Sequence, residues 1–144
     1  MKRQILWSLF AALAVAIASC AQAPVEGESL GRQIQVEGGS YTDVSPSELQ
    51  SLLEDKDFVL VNVHIPFEGD LPETDVSFPF DEVEANLDLL PEDKDAKIVL
   101  YCRSDRMSRI AAETLIGLGF TNLWNLDGGF NAWRDAGLPL EGVE

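Results

Sequence analysis

Cys102 closes the apolar run Ile98–Tyr101, and Arg103, Arg106 and Arg109 follow it within seven residues. A helical pattern begins inside the same stretch, CRSDRMS (residues 102–108). The first amides of a helix have no intrahelical acceptor and point into the preceding loop. Those donors, with the helix dipole, attract anions. The same field and the nearby guanidinium groups stabilise a thiolate, which is the nucleophilic form of cysteine. Arg103 and Arg106 are positioned to recruit a small anion through directed donors. Ser104 and Ser108 can add hydroxyl hydrogen bonds, and the amides from Arg103 through Asp105 and Arg106 to Met107 would form a cradle. Arg109, and one of the other two arginines, can equally be a solvated helix-face charge paired with Asp105 or Glu113.

Two chemistries use a thiolate in such a loop. Phosphate-ester hydrolysis places an arginine six residues after the cysteine. Here that position is Ser108, and Arg109 comes one place late. The shorter loop suits a persulfide, whose outer sulfur is held by the amides.

The surrounding chain is strongly acidic. Ten Lys+Arg stand against 25 Asp+Glu, a formal net charge of −15. That excess argues against nucleic acid, whose phosphates need a basic surface, and against docking of the folded surface on anionic lipid. The length fits one domain, and 46% hydrophobic with 24% charged residues is a globular composition.

Residues 1–19 read as a secretory signal. Lys2 and Arg3 precede an uncharged stretch from Ile5 to Ala18, too short for an ordinary membrane span. Ile17-Ala18-Ser19-Cys20 matches a bacterial lipobox and would leave Cys20 as a lipid-modified N-terminus. Ala21-Gln22-Ala23 offers ordinary cleavage instead. Removing residues 1–19 takes away Lys2 and Arg3 and no acids, leaving 8 basic against 25 acidic residues, a net charge of −17. Three of those eight cations lie between Cys102 and Arg109. The expected location is the cell envelope or periplasm, with the lipid as the only membrane contact and the domain a monomer. Cys102 then has no intramolecular partner. Exported proteins usually pair or avoid cysteines, so it is either a functional thiol or an inert one at the end of a core strand.

The elements that would position Cys102 can be read from periodicity. Residues 20–40 are rich in Gly, Glu and Gln and read as a tether or loosely packed arm, with the domain running from Tyr41 to Glu144. Ser45-Pro46-Ser47-Glu48 is a capping box with proline at the first helical position, and the helix continues to about Asp55. Phe58–Val63 reads as a buried strand. Residues 64–80 read as loop and 81–90 as a short helix. Lys97–Tyr101 is a second buried strand. A helix follows from about Arg106 to Leu118, with Ile110, Ala111, Leu115 and Leu118 inward and Gly119 as its stop. Leu123–Leu126 is a third strand, and Gly128–Ala136 a last helix. Gly128-Gly129 read as its entry turn, and Trp124 and Trp133 as core. Strands alternating with helices imply an α/β fold, a mostly parallel sheet covered on both faces. Ligands then sit at the carboxyl ends of the strands, where Cys102 falls.

The text IVLYCRSDRMSRIAAETLIGLGFTNLWNLDGGFNAW resembles the rhodanese (sulfurtransferase) domain family. The matching motifs are Cys102–Ser108, Ala111-Ala112, Gly119–Leu123 and Leu126-Asp127-Gly128-Gly129 through Trp133, with weaker likeness back to Tyr41. The resemblance implies transfer of sulfane sulfur from thiosulfate or a similar anionic donor to a thiol or cyanide, through a Cys102 persulfide. A catalytically weak module that binds an anion or a partner is the competing reading. Three departures stand out. Asp105 replaces a usual glycine at a position expected to need a left-handed backbone, which Asp tolerates better than most residues, and its carboxylate would sit near the thiolate. Asn62-Val63-His64 replaces a usual Asp-Val-Arg and loses an ion pair. IPFEGDLPETD replaces the usual segment after the strand. His64, the one histidine, is either a switchable charge or general base near the site, or a strand-end residue hydrogen-bonded to its loop. Glu68 and Asp70 read as turn and surface residues. No organic cofactor is indicated, and one His with one retained Cys builds no standard zinc site.

Overall fold

The computed structural model describes residues 29–142; the expected signal segment and Cys20 lie outside them. The strands are β1 (Arg32–Val36), β2 (Gly39–Val44), β3 (Val59–Asn62), β4 (Val76–Ser77), β5 (Ile98–Tyr101) and β6 (Leu123–Leu126). The α-helices are α1 (Pro46–Leu53), α2 (Arg106–Gly117) and α3 (Gly129–Asp135), and Val83–Leu89 is a 3₁₀ segment. The six strands form one sheet in the order β1-β2-β6-β5-β3-β4. Every neighbouring pair is parallel except β1 with β2.

β5 lies inside the sheet and is buried along its whole length. Its side chains alternate faces, as strand geometry requires. Ile98 and Leu100 join a core with Ala111, Ala112 and Leu115 of α2. Val99 and Tyr101 join the opposite core, with Leu49 of α1 and Phe130 and Trp133 of α3. The sheet is therefore covered on both faces, as the unbroken hydrophobic strands implied.

Helix boundaries follow their caps. The Ser45 hydroxyl accepts from the Glu48 amide and the Glu48 carboxylate accepts from the Ser45 amide, with Pro46 at the first turn. α2 ends where Gly119 adopts φ 89°. The Gly119 amide donates to Ile116 and the Phe120 amide to Leu115, the paired bonds of a Schellman ending.

Four expectations need correcting. The sheet begins at Arg32 rather than near Tyr41: residues 32–44 form a hairpin within and beyond the stretch read as an arm. Gly38, at φ 85°, makes its turn, and β2 is held by parallel pairing to β6, a long-range contact that local composition does not encode. The stretch read as loop contains the two-residue strand β4. Residues 83–89 wind as 3₁₀ with a break at Asn86 (φ −117°, ψ 20°) instead of an α-helix. Ile110 is exposed and Trp124 half-buried, whereas Ala111 and Ala112 are fully buried; the inward face of α2 is rotated by one residue from the expected one.

Candidate active site

Cys102 is the first residue past β5, at the carboxyl edge of the sheet. It is buried and, among the described residues, unpaired. Residues 103–105 span the gap to α2, and α3 packs beneath them. The Phe130 amide donates to the Cys102 carbonyl at 2.9 Å, and the Asn131 amide donates to the Arg103 carbonyl at 3.1 Å. In a planar trans peptide the carbonyl and the next N–H point in opposite directions. Fixing these two carbonyls on α3 therefore turns the Arg103 and Ser104 amides away from it. Among the described residues, the amides of residues 103–108 donate to no protein acceptor.

This docking depends on Gly129. Its φ is 57°, and a Cβ there would stand 2.2 Å from the Cys102 carbonyl oxygen and 2.6 Å from the Arg103 carbonyl carbon. The Gly-Gly pair is thus an entry turn, as its sequence suggested, and also a floor under the cysteine loop.

A pocket of about 150 Å³ opens beside the thiol, lined by His64, Cys102, Arg103, Ser104, Arg106 and Met107. That is smaller than the roughly 300–1,000 Å³ of clefts for drug-sized ligands. The Ser108 hydroxyl is fully buried, lies 3.5 Å from Cys102 Sγ, and bonds the Asp105 carbonyl at 2.9 Å. Ser104, Arg103 and Arg106 are exposed, and Met107 also packs against the α2 core. Arg106 forms no ion pair among the described residues. Arg103 is tied to Glu68, Nη1 to Oε1, at 3.2 Å.

Asp105 has φ 84°, in the left-handed half of the map as expected. Its carboxylate, however, faces the β6–α3 turn rather than the thiol. Oδ1 accepts from the Gly128 amide at 2.8 Å and from Asn125 Nδ2 at 3.2 Å, and Oδ2 lies 3.7 Å from Arg109. Arg109 is drawn away as well. Its Nη2 lies 3.3 Å from Asp127 and 3.5 Å from Asp43. Desolvation opposes its charge, but Asp105, Asp43 and Asp127 more than offset this and raise its pKa on balance. Asp43, with a side chain only 2% exposed, is satisfied by Arg32, Arg109 and Asn125. Sequence reasoning missed Asp43 and Asn125, since nothing local marks two residues 82 apart as partners.

The segment after β3 completes the rim. Asn62 donates to the Gly69 carbonyl and to Asp70, and accepts from the His64 amide. Asp70 also takes bonds from Ser77 and Tyr101, so it is a structural hub rather than a surface residue. Burial pushes the Tyr101 phenol well above its ordinary value. The His64 ring is buried against Phe130, edge to face at 5.3 Å. Among the described residues neither ring nitrogen has a hydrogen-bond partner; the bond to the loop runs through the His64 backbone instead. Nε2 lies 3.4 Å from Glu68 Oε2, at ion-pairing distance without hydrogen-bond geometry. Desolvation lowers the pKa of His64, with Glu68 pulling the other way.

Comparison with known proteins places this arrangement. The sequence profile of the rhodanese-like domain matches residues 45–136. A protein of Allochromatium vinosum named sulfurtransferase is 33% identical over 103 residues, covering 69% of this chain and 94% of its own. A thiosulfate sulfurtransferase of Vibrio cholerae is 25% identical over 101 residues, covering 70% and 95%. Among solved structures, a Rhodopseudomonas palustris protein described as a possible tyrosine phosphatase aligns with a TM-score of 0.60 at 27% identity, over 70% of this chain and 85% of its own. The chain belongs to the rhodanese-like domain family.

Proposed function

We propose that this protein is a sulfurtransferase that carries sulfane sulfur as a persulfide on Cys102. The observation that carries this reading is the ring of unpaired amides from 103 to 108 around a buried thiol. The Cys102 thiolate attacks the outer sulfur of thiosulfate or a similar donor. A Sγ–S bond forms, the donor S–S bond breaks, and its electron pair leaves with sulfite. The persulfide sulfur, anionic in its resting form, is then held by the amides. Transfer to a thiol or cyanide regenerates the thiolate.

Arg106 supports capture of an anionic donor, because it lines the pocket free of any ion pair among the described residues. Arg103 contributes less, its charge being shared with Glu68. The likeness to a possible phosphatase does not outweigh the loop length: Arg109, the arginine nearest phosphatase spacing, is bound to three carboxylates instead of facing the pocket. We place the protein outside the cytoplasm, tethered by lipid on Cys20, on the strength of the signal-like N-terminus. A monomer suffices for this chemistry.

Intact-protein mass spectrometry before and after thiosulfate, with Cys102→Ala as control, tests the reading. The expected result is a gain of one sulfur atom that a reducing thiol removes and the variant lacks. No gain from thiosulfate or polysulfide, while Cys102 still alkylates, overturns it in favour of a binding module.

A further inference from the structure

Besides the Cys102 thiol, His64 is the group lining the pocket that can take up a proton near neutral pH. Its side chain is 5% exposed, it lines the same pocket as Cys102, and among the described residues neither ring nitrogen makes a hydrogen bond, Nε2 having only the Glu68 carboxylate at 3.4 Å. A buried polar atom without a partner costs free energy, so the arrangement calls for an occupant that bonds the ring. Asn62 fixes the His64 backbone and Phe130 fixes the ring plane, so the imidazole is held rather than loosely packed.

The charged and titratable groups facing it are Glu68 from its own loop, and Cys102, Arg103 and Arg106 from the loop after β5. Resting on the sulfurtransferase reading, we infer that His64 is the general base for the acceptor thiol in the second half of the reaction, with Glu68 stabilising the imidazolium it becomes. The balance is RSH + Cys102–S–S⁻ → RSSH + Cys102–S⁻. His64 takes the acceptor's proton. The acceptor sulfur bonds the outer persulfide sulfur, the Sγ–S bond breaks, and its electron pair stays on Sγ. The acceptor sulfur is oxidised and Sγ is reduced. The proton then passes from His64 to the departing persulfide anion. Burial favours the neutral imidazole, the form a base requires. The step assigns the acceptor class: a thiol that is largely protonated at working pH, such as an ordinary cysteine or alkyl thiol.

Ethanethiol and 2,2,2-trifluoroethanethiol are close in size but differ greatly in acidity, so only the first depends on a base at neutral pH. Sulfur loading by thiosulfate and sulfur loss to each thiol are followed separately by mass spectrometry in the wild type, His64→Gln and Glu68→Gln. The expected result is a fall of about 100-fold in transfer to ethanethiol in His64→Gln, with a much smaller fall for the fluorinated thiol. Glu68→Gln, which removes the charge of a half-buried side chain at similar size, is expected to shift the same ratio in the same direction by a smaller factor. Equal losses with both thiols, or no loss with either, overturn the inference while leaving the persulfide reading intact. Failure of the wild type to load sulfur overturns both.

Discussion

Replacing Gly129 with alanine should loosen the cysteine loop more than any other small change in the domain. The added Cβ meets the Cys102 carbonyl oxygen at 2.2 Å, the Arg103 carbonyl carbon at 2.6 Å and its oxygen at 2.7 Å. These are backbone atoms, so no side-chain rotation relieves the contact. The left-handed conformation costs an L-residue about 1–2 kcal/mol. Separating α3 from the loop also sacrifices two backbone bonds, Phe130 to Cys102 and Asn131 to Arg103, each worth about 0.5–1.5 kcal/mol. The expected loss is about 2–5 kcal/mol. Gly119→Ala is the control: it carries the same backbone penalty at φ 89°, but nothing lies within 4 Å of its Cβ, so about 1–2 kcal/mol is expected. Urea unfolding followed by circular dichroism gives the stabilities, and iodoacetamide labelling gives the accessibility of Cys102. Gly129→Ala should label faster at urea concentrations where it remains folded. If it matches Gly119→Ala in stability and wild type in labelling, the view that α3 holds the loop is wrong.

Three further outcomes follow from the same contacts. Asp105→Gly relieves a positive φ but deletes the acceptor for the Gly128 amide and Asn125, so a net destabilisation of about 1–3 kcal/mol is expected in urea titrations despite the return to the family's usual residue. Arg106→Ala should raise the KM for thiosulfate by roughly tenfold, about 1.4 kcal/mol of lost ionic attraction, and Arg103→Ala by less; steady-state kinetics with thiosulfate distinguishes them, and an equal effect would remove the special place of Arg106. His64 has a folded pKa lowered below about 6.5, so the unfolded state binds the extra proton first. Its contribution to stability is present above pH 6.5 and is lost as pH falls from there through the folded value. Unfolding free energies measured between pH 7 and pH 5 should therefore drop more steeply in the wild type than in His64→Gln.

The fold gives each neighbour of Cys102 its own role, and their residue types did not determine which. Arg103, Arg106 and Arg109 look alike in sequence. One is tied to Glu68, one has no ion pair among the described residues, and one is held by three aspartates. The difference arises because α2 turns Arg109 toward the β2 and β6 edge, where Asp43 and Asp127 lie. Asp105 was legible as a left-handed residue but not as a bonded one, since its partners sit 20 and 23 positions away.

What the sequence determined by itself is what local physics encodes. Apolar runs bounded by helical periodicity specify a parallel sheet with helices on both faces. The end of one such run marks Cys102 as the residue at the carboxyl edge of the sheet, and the caps at Ser45 and Gly119 set helix limits. Tertiary structure alone decided the hairpin at Arg32–Val44, whose strand exists because β6 pairs with it. It decided the floor under the loop, because Gly129 is close to Cys102 only after a sheet strand and a helix have been laid side by side. It also decided the chemistry open to His64. A histidine at a strand end is ambiguous until its surroundings are known, and here they bury the ring, leave its nitrogens without a hydrogen bond among the described residues, and put the residue in the lining of the thiol's pocket.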